Sequence, residues 1–467
     1  MHIQHSNMGF YFDYPTANTF ELDDWVTTIK AMNQLEQGAI ANPTENRQVG
    51  HYWLRNPDLA PIEMAQVIRQ SYASLGELER EIQQRNFETL LMVGIGGSAL
   101  GPQLLVEALP CTTDYRRVLF LDNTDPDGFD CVLRTITPKQ TLVAVVSKSG
   151  GTKETRNAMM EVQALYARHE VPFSEHAVAL TVEGSQLDQL AIQDGWLFRL
   201  PLWNWVGGRT SVTGVVGLLP LMFLQRNWVH FLEGAQRMDD WTRTLSPDNP
   251  ALQMAHLWYT EGNGHGDRNM VVLPYKDALG LFGKYLQQLI MESIGKRLDR
   301  NGQKVCQGLT VYGNKGSTDQ HAFVQQLRDG RHDFFTVLIG VLEDRRTSVP
   351  KVWVEENVGA GDYLLGFLMG TRHALQDAGR TVSTLVVERL TEATLGALVA
   401  LFERTVGFYA ERLNINAYDQ PGVEAGKRAA AEMLDLRARL FEGADVSDAD
   451  PLDIWIWTEH QRINAER

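Results

Sequence analysis

Thr141-Leu142-Val143-Ala144-Val145-Val146-Ser147-Lys148-Ser149-Gly150-Gly151-Thr152-Lys153-Glu154-Thr155 sets the fold class of this 467-residue chain. The run 141–146 has the length and composition of a buried strand, and it empties into a hydroxyl- and glycine-rich turn that starts a helix. Such a turn is an anion cradle. Ser147, Ser149, Thr152 and Lys148 offer donors, the glycines let backbone N–H groups approach, and the new helix points its positive end at the ligand. The same transition occurs earlier, where the apolar run 89–93 leads into Gly94-Ile95-Gly96-Gly97-Ser98. Apolar runs at 117–121, 177–181 and 196–200 alternate with helical patterns at 61–85 and 99–108. That alternation requires a mostly parallel sheet covered on both faces.

Beyond residue 232 the pattern is helical to about residue 260, and the alternation then restarts. Strands are expected at 269–273, 309–312, 334–341 and 383–387, and helices at 278–296, 318–328, 364–377 and 393–413. The fold class is therefore α/β, with two doubly wound parallel-sheet α/β/α sandwich lobes at 61–230 and 231–425. Residues 1–60 are expected to pack on the lobes, and 426–467 to form a helical C-terminal extension in which Trp455 and Trp457 act as anchors.

With 44% hydrophobic and 22% charged residues, the chain has the composition of a soluble globular protein. Its net charge of -15 disfavours nonspecific attraction to nucleic acid or to an anionic membrane, so an anionic ligand needs a local positive pocket. Cys111, Cys131 and Cys306 are too few and too scattered for a disulfide framework or a CxxC metal site. The N-terminus carries no signal-peptide pattern, and no apolar run reaches the roughly 18 residues of a membrane span. A cytoplasmic location is expected, with no metal and no cofactor.

Three readings of the glycine turns compete. Gly94-Ile95-Gly96-Gly97-Ser98-Ala99 fits a GxGxxA dinucleotide fingerprint with Asp122 as the ribose acceptor, which points to a nicotinamide-dependent dehydrogenase but leaves the 147–155 cradle without a task. A plain strand-to-helix turn is the second reading. In the third, two such turns at the carboxyl ends of different parallel strands share one phosphomonoester.

Six stretches then occur together: 93–102, the cradle, Val206-Gly207-Gly208-Arg209-Thr210-Ser211, Met291-Glu292-Ser293-Ile294-Gly295-Lys296, Gly316-Ser317-Thr318-Asp319-Gln320-His321-Ala322-Phe323, and Asp419-Gln420-Pro421-Gly422-Val423-Glu424-Ala425-Gly426-Lys427. In this order they resemble the glucose-6-phosphate isomerase family, whose fold is built from sugar isomerase (SIS) lobes. The resemblance implies reversible interconversion of glucose 6-phosphate and fructose 6-phosphate through ring opening and a cis-enediol, in glycolysis and gluconeogenesis. It implies Glu292 as the base that moves a proton between C2 and C1, a task that suits a carboxylate made more basic by partial burial. Arg209 would stabilise the enediolate, and His321 and Lys427 would open the ring. Ser147, Lys148, Ser149, Thr152, Gly97, Ser98 and Gln420 would hold the phosphate. The family's histidine comes from a neighbouring subunit, so a homodimer with composite sites is implied.

Without the motifs each residue has a plainer explanation. Glu292 could pair with Lys296 at i+4, Arg209 could serve a structural ion pair, His321 is one of twelve histidines, and Lys427 could be a solvated helix lysine. Glu154 reads as a capping or lysine-pairing residue of the first helical turn. Two departures from the family pattern, Gly150-Gly151 in the cradle and Ile294 after the base, bear on the fit around the phosphate and on the helix end at Glu292. A noncatalytic phosphosugar sensor is the alternative function, and it would need only the cradle.

Overall fold

The computed structural model describes residues 2–16, 19–109, 115–347 and 349–465, and Cys111 lies outside them. It divides into a unit spanning Met1–Tyr418 and a smaller one spanning Asp419–Arg467. The smaller unit is a pair of helices, Pro421–Phe441 and Pro451–Ala465.

In the first unit, the strands Thr89–Val93, Arg117–Leu121, Thr141–Val146, Ala177–Val182 and Phe198–Leu202 form an all-parallel sheet. Their chain order places Arg117–Leu121 at one edge, then Thr89–Val93, then Thr141–Val146. Side chains alternate between faces: Leu90, Met92, Leu142 and Ala144 join one apolar cluster, while Leu91, Val93, Val143 and Val145 join another. Both faces are thus covered, which explains the nearly continuous apolar runs.

A second sheet repeats this strand order. Asn269–Tyr275 lies between Val311–Tyr312 and Phe334–Val341, and Val382–Val387 follows, all parallel. Beyond Val382–Val387 the chain's own beginning completes the sheet: Phe10–Asp13 pairs antiparallel with it, and His2–His5 pairs antiparallel with Phe10–Asp13. Among the described residues no helix is long and apolar enough to cross a membrane.

Two expected helices differ in detail. The 278–296 pattern breaks into a 3-10 turn Asp277–Leu279, an α-helix Phe282–Leu286 and a π-helical stretch Gln287–Glu292, and Lys296 already opens the strand Lys296–Leu298. Within the α-helical piece the backbone packs closely, since a Cβ on Gly283 would lie 2.4 Å from the Gly313 carbonyl oxygen. The 318–328 pattern splits into the 3-10 turn Asp319–His321 and the helix Val324–Asp329.

Beneath the buried helix Glu392–Arg412 lies a network that apolar periodicity does not announce. Arg55 meets Asp239 at 2.7 Å and also pairs with Glu403. Arg404 pairs with Glu36 and lies 3.1 Å from Asp239, while Arg243 reaches Glu36 at 2.8 Å. Three guanidiniums thus meet three carboxylates, and Arg404 also lies 4.2 Å over the Tyr52 ring. Burial alone would raise the Glu36 pKa, but Arg404 and Arg243 outweigh it and hold the carboxyl below its ordinary value.

Candidate active site

Thr89–Val93 and Thr141–Val146 are sheet neighbours whose chains continue toward opposite edges, so a crevice opens beyond their carboxyl ends. Ligands of open α/β sheets collect at that switch point. Both glycine turns leave from these two strands. In the cradle, Ser147 Oγ accepts the Gly150 N–H at 3.0 Å and donates to Thr152 Oγ1 at 3.3 Å, and Ser149 Oγ accepts the Gly151 N–H at 3.1 Å. Gly150 has φ +76°, the left-handed conformation that such a curl requires. Thr152 takes the N-cap position of the helix Lys153–Arg168, and Glu154 lies in that helix's first turn. From behind, Thr181 Oγ1 donates to the Ser147 carbonyl at 2.6 Å, and the Gln186 N–H to the Ser149 carbonyl at 3.1 Å. The loop is preorganised before any anion arrives.

Contact between glycines carries the site across to Arg209. A Cβ on Gly97 would lie 2.0 Å from the Gly208 carbonyl oxygen, so the two turns touch through their backbones. The 3-10 helix Gly208–Thr213 that follows buries Arg209, which is 4% exposed. Its Nε donates to Ser293 Oγ at 2.7 Å, its Nη2 to the Ala417 carbonyl at 2.6 Å, and its Nη1 lies 3.5 Å from Glu292 Oε1. Glu292 ends the π-helical stretch with 22% of its side chain exposed, while Lys296 Nζ donates to the Glu292 backbone carbonyl at 3.1 Å. π-helical turns are concentrated at functional sites because the added residue re-aims side chains.

Ser98, Lys148, Gly208 and Ser211 line one cavity, with Leu54, Trp203 and Val206 among its apolar walls. Burial, then Arg47, opposed by Glu45, and then Arg209 bring the Lys148 ammonium from 10.5 down to about 8. A proton held there favours an anion, and raising the pH removes it. We therefore expect kcat/KM to fall as pH rises through about 8, because that ratio reports the free enzyme. Lys148→Met should lower kcat/KM and erase this basic limb, as a pH–rate series on both proteins will show.

Sequence reasoning missed two residues here. Gln288, four positions before Glu292, brings its amide nitrogen to 3.1 Å from where a Gly96 Cβ would stand, over the first glycine turn. Ser293 engages Arg209 directly. Helical spacing from Glu292 marks Gln288 as a neighbour on the same face, but nothing in the sequence singled it out. His51 is buried behind Arg209: it packs on Tyr52, and burial followed by Arg55, Arg404 and Arg209 pushes its pKa well below 6.5, so the ring is neutral.

Gly97, Ser98, Ser147, Lys148, Ser149 and Thr152 lie on the two turns, Arg209 follows the Gly208 that Gly97 touches, and Glu292 lies beside its guanidinium. His321 is exposed at the end of the turn Asp319–His321. The buried Asp319 carboxylate fixes that turn by accepting the Asn314 and Lys315 N–H groups at 2.8 and 3.2 Å. Gln420 and Lys427 belong to the smaller unit, Gln420 just before the helix Pro421–Phe441 and Lys427 exposed upon it.

Comparison with known proteins places the chain in a family. The family model described as phosphoglucose isomerase matches residues 17–351 and 370–451. A glucose-6-phosphate isomerase of Citrifermentans bemidjiense is 52% identical over 443 residues, covering 92% of this chain and 83% of that protein. One from Geobacter sulfurreducens is 54% identical over 419 residues, covering 87% and 79%. The crystal structure of a glucose-6-phosphate isomerase from Chlamydia trachomatis superposes with a TM-score of 0.84 at 29% identity, covering 94% of this chain and 90% of that one.

Proposed function

Because this chain belongs to the phosphoglucose isomerase family, we propose that Glu292, Arg209, His321 and Lys427 carry its reaction and that the cradle holds the substrate's phosphate. The reaction is the reversible interconversion of D-glucose 6-phosphate and D-fructose 6-phosphate, a step of glycolysis and gluconeogenesis. Sugar and product differ by the position of one proton pair and have the same oxidation level overall, so the step needs no hydride carrier. The cyclic sugar is first opened by protonating the ring oxygen and removing the C1 hydroxyl proton, which we assign to His321 and Lys427. Glu292 then takes the C2 proton and returns it to C1, while Arg209 faces the charge that develops on the enediolate oxygens.

The observation that carries this reading is the placement of Glu292 beside Arg209, 3.5 Å apart, on a chain path that touches the phosphate turns through Gly97 and Gly208. Ser147, Lys148, Ser149, Thr152, Gly97, Ser98 and Gln420 grip the nonreacting end, and their binding energy becomes orientation at C1 and C2. A noncatalytic sensor has no use for a carboxylate held against a buried guanidinium. We assign the working enzyme to the cytoplasm and its form to a homodimer in which His321, exposed on its turn, completes the partner's site. The lobes are assigned to 61–230 and 231–425, with 1–60 packing on them and 426–467 as the extension.

Subunit mixing tests the composite site. Glu292→Gln and His321→Asn homodimers, each inactive, are dissociated together and allowed to reassociate. Each hybrid then holds one site with both lesions and one with neither, so activity should return to about a quarter of the wild-type value. No regain would place His321 in its own chain's site.

A further inference from the structure

We infer that Ser293 is a positioning residue that holds the Arg209 guanidinium short of a closed ion pair with Glu292, leaving the carboxylate free to accept a carbon-bound proton. The inference rests on the roles just proposed for Glu292 and Arg209 and adds a residue that none of the six sequence motifs was read as using.

The distances around one guanidinium make the case. Nε to Ser293 Oγ is 2.7 Å and Nη2 to the Ala417 carbonyl is 2.6 Å, both full hydrogen bonds. Nη1 to Glu292 Oε1 is 3.5 Å, beyond that range. A guanidinium and a carboxylate that are free to approach settle at about 2.7–2.9 Å. Two neutral acceptors thus hold Arg209 at closer range than Glu292 does. One is backbone and the other is a side chain next in sequence to the base.

Adjacent residues of a regular helix point about 100° apart, so one cation rarely serves both. Here the π-helical stretch ends at Glu292, and the following Ser293 is 2% exposed while the Glu292 side chain retains 22%. The hydroxyl is buried, the carboxylate is partly exposed, and the buried Arg209 spans the two. Other titratable groups among the described residues lie near this pair. Lys296 donates to the Glu292 backbone carbonyl, Lys148 approaches from the cradle, and His51 behind Arg209 is neutral.

Separation has a chemical purpose. A guanidinium closed onto Glu292 occupies the carboxylate oxygens that must accept the carbon-bound proton. A guanidinium much farther away cannot stabilise the enediolate oxygens. Holding Arg209 by its Nε and Nη2 satisfies both demands.

The test compares Ser293→Ala and Ser293→Thr with the wild-type enzyme. Without the hydroxyl, Arg209 closes on Glu292, so kcat should fall about tenfold or more through misplacement of the pair. KM should change by less than about twofold, the signature of an interaction that acts in the transition state. Ser293→Thr keeps the oxygen and should restore kcat. A loss of kcat in Ser293→Ala accompanied by a large rise in KM, or with no recovery in Ser293→Thr, would show a merely structural role and overturn the inference. If Glu292→Gln kept its turnover, the base assignment itself would fail. If Glu292→Gln were dead while Ser293→Ala matched wild type in kcat, only the positioning role would fall.

Discussion

Glu292→Gln is expected to end exchange of the C2 hydrogen of glucose 6-phosphate with deuterated solvent while leaving sugar-phosphate binding intact. Glutamine keeps the volume and can still lie beside Arg209, but it has no basic oxygen to accept a carbon-bound proton. Loss of a positioned general base costs roughly 10²- to 10⁴-fold. Binding should survive because the cradle is fixed by contacts that do not involve Glu292: Ser147 to Gly150 and Thr152, Ser149 to Gly151, and Thr181 to the Ser147 carbonyl. Proton NMR of the C2 position follows the exchange, and calorimetric titration with a sugar phosphate follows binding. Undiminished exchange would remove Glu292 from the mechanism.

Arg404→Met should destabilise the protein by about 3–5 kcal/mol, because it leaves buried carboxylates without their cation. Arg404 is 1% exposed, and its loss strips Glu36 and Asp239 of a shared partner and Tyr52 of the guanidinium above it. Arg243 still faces Glu36, and Arg55 still faces Asp239 and Glu403, so the fold should persist with a lowered urea midpoint. Arg47→Met removes the pair with Glu45, whose side chains are 40% and 41% exposed, and should cost no more than about 1 kcal/mol. Acid titration sharpens the comparison. Glu36 has a depressed folded-state pKa, so its contribution is present above the unfolded carboxylate value and is lost as pH falls through the lower folded value. In Arg404→Met that acid-side contribution should shrink.

The strands that frame the crevice were legible because both faces of each sheet are covered. Buried strands such as Thr89–Val93 and Thr141–Val146 carry apolar side chains toward both layers and therefore stand out as unbroken runs. Phe10–Asp13 was not legible: its four residues alternate buried and half-buried side chains, and its partner lies at the other end of the first unit. The two glycine turns could be read from their hydroxyls and glycines alone, since the features of an anion cradle are local in sequence. Glu292 and Arg209 could not be joined that way. Their meeting depends on the Gly97–Gly208 approach and on a π-helical stretch, and helical periodicity carries no mark for an added residue in a turn. The same limit hid Ser293 and the arginine–carboxylate network, whose members are spread from Glu36 to Arg404.

The antiparallel join between the chain's beginning and Val382–Val387 sets a schedule for synthesis. The Ser383 hydroxyl donates to the Asp13 carbonyl across 370 residues of chain. At about 5–20 residues per second, a ribosome separates the emergence of these two segments by roughly 20–70 seconds. Throughout that interval Phe10, Tyr11 and Phe12 belong to a strand whose docking edge has not yet been made. A segment that emerges early in synthesis is thus among the last to find its place, and until the sheet that receives it exists the nascent chain exposes an aromatic, pairing-competent strand.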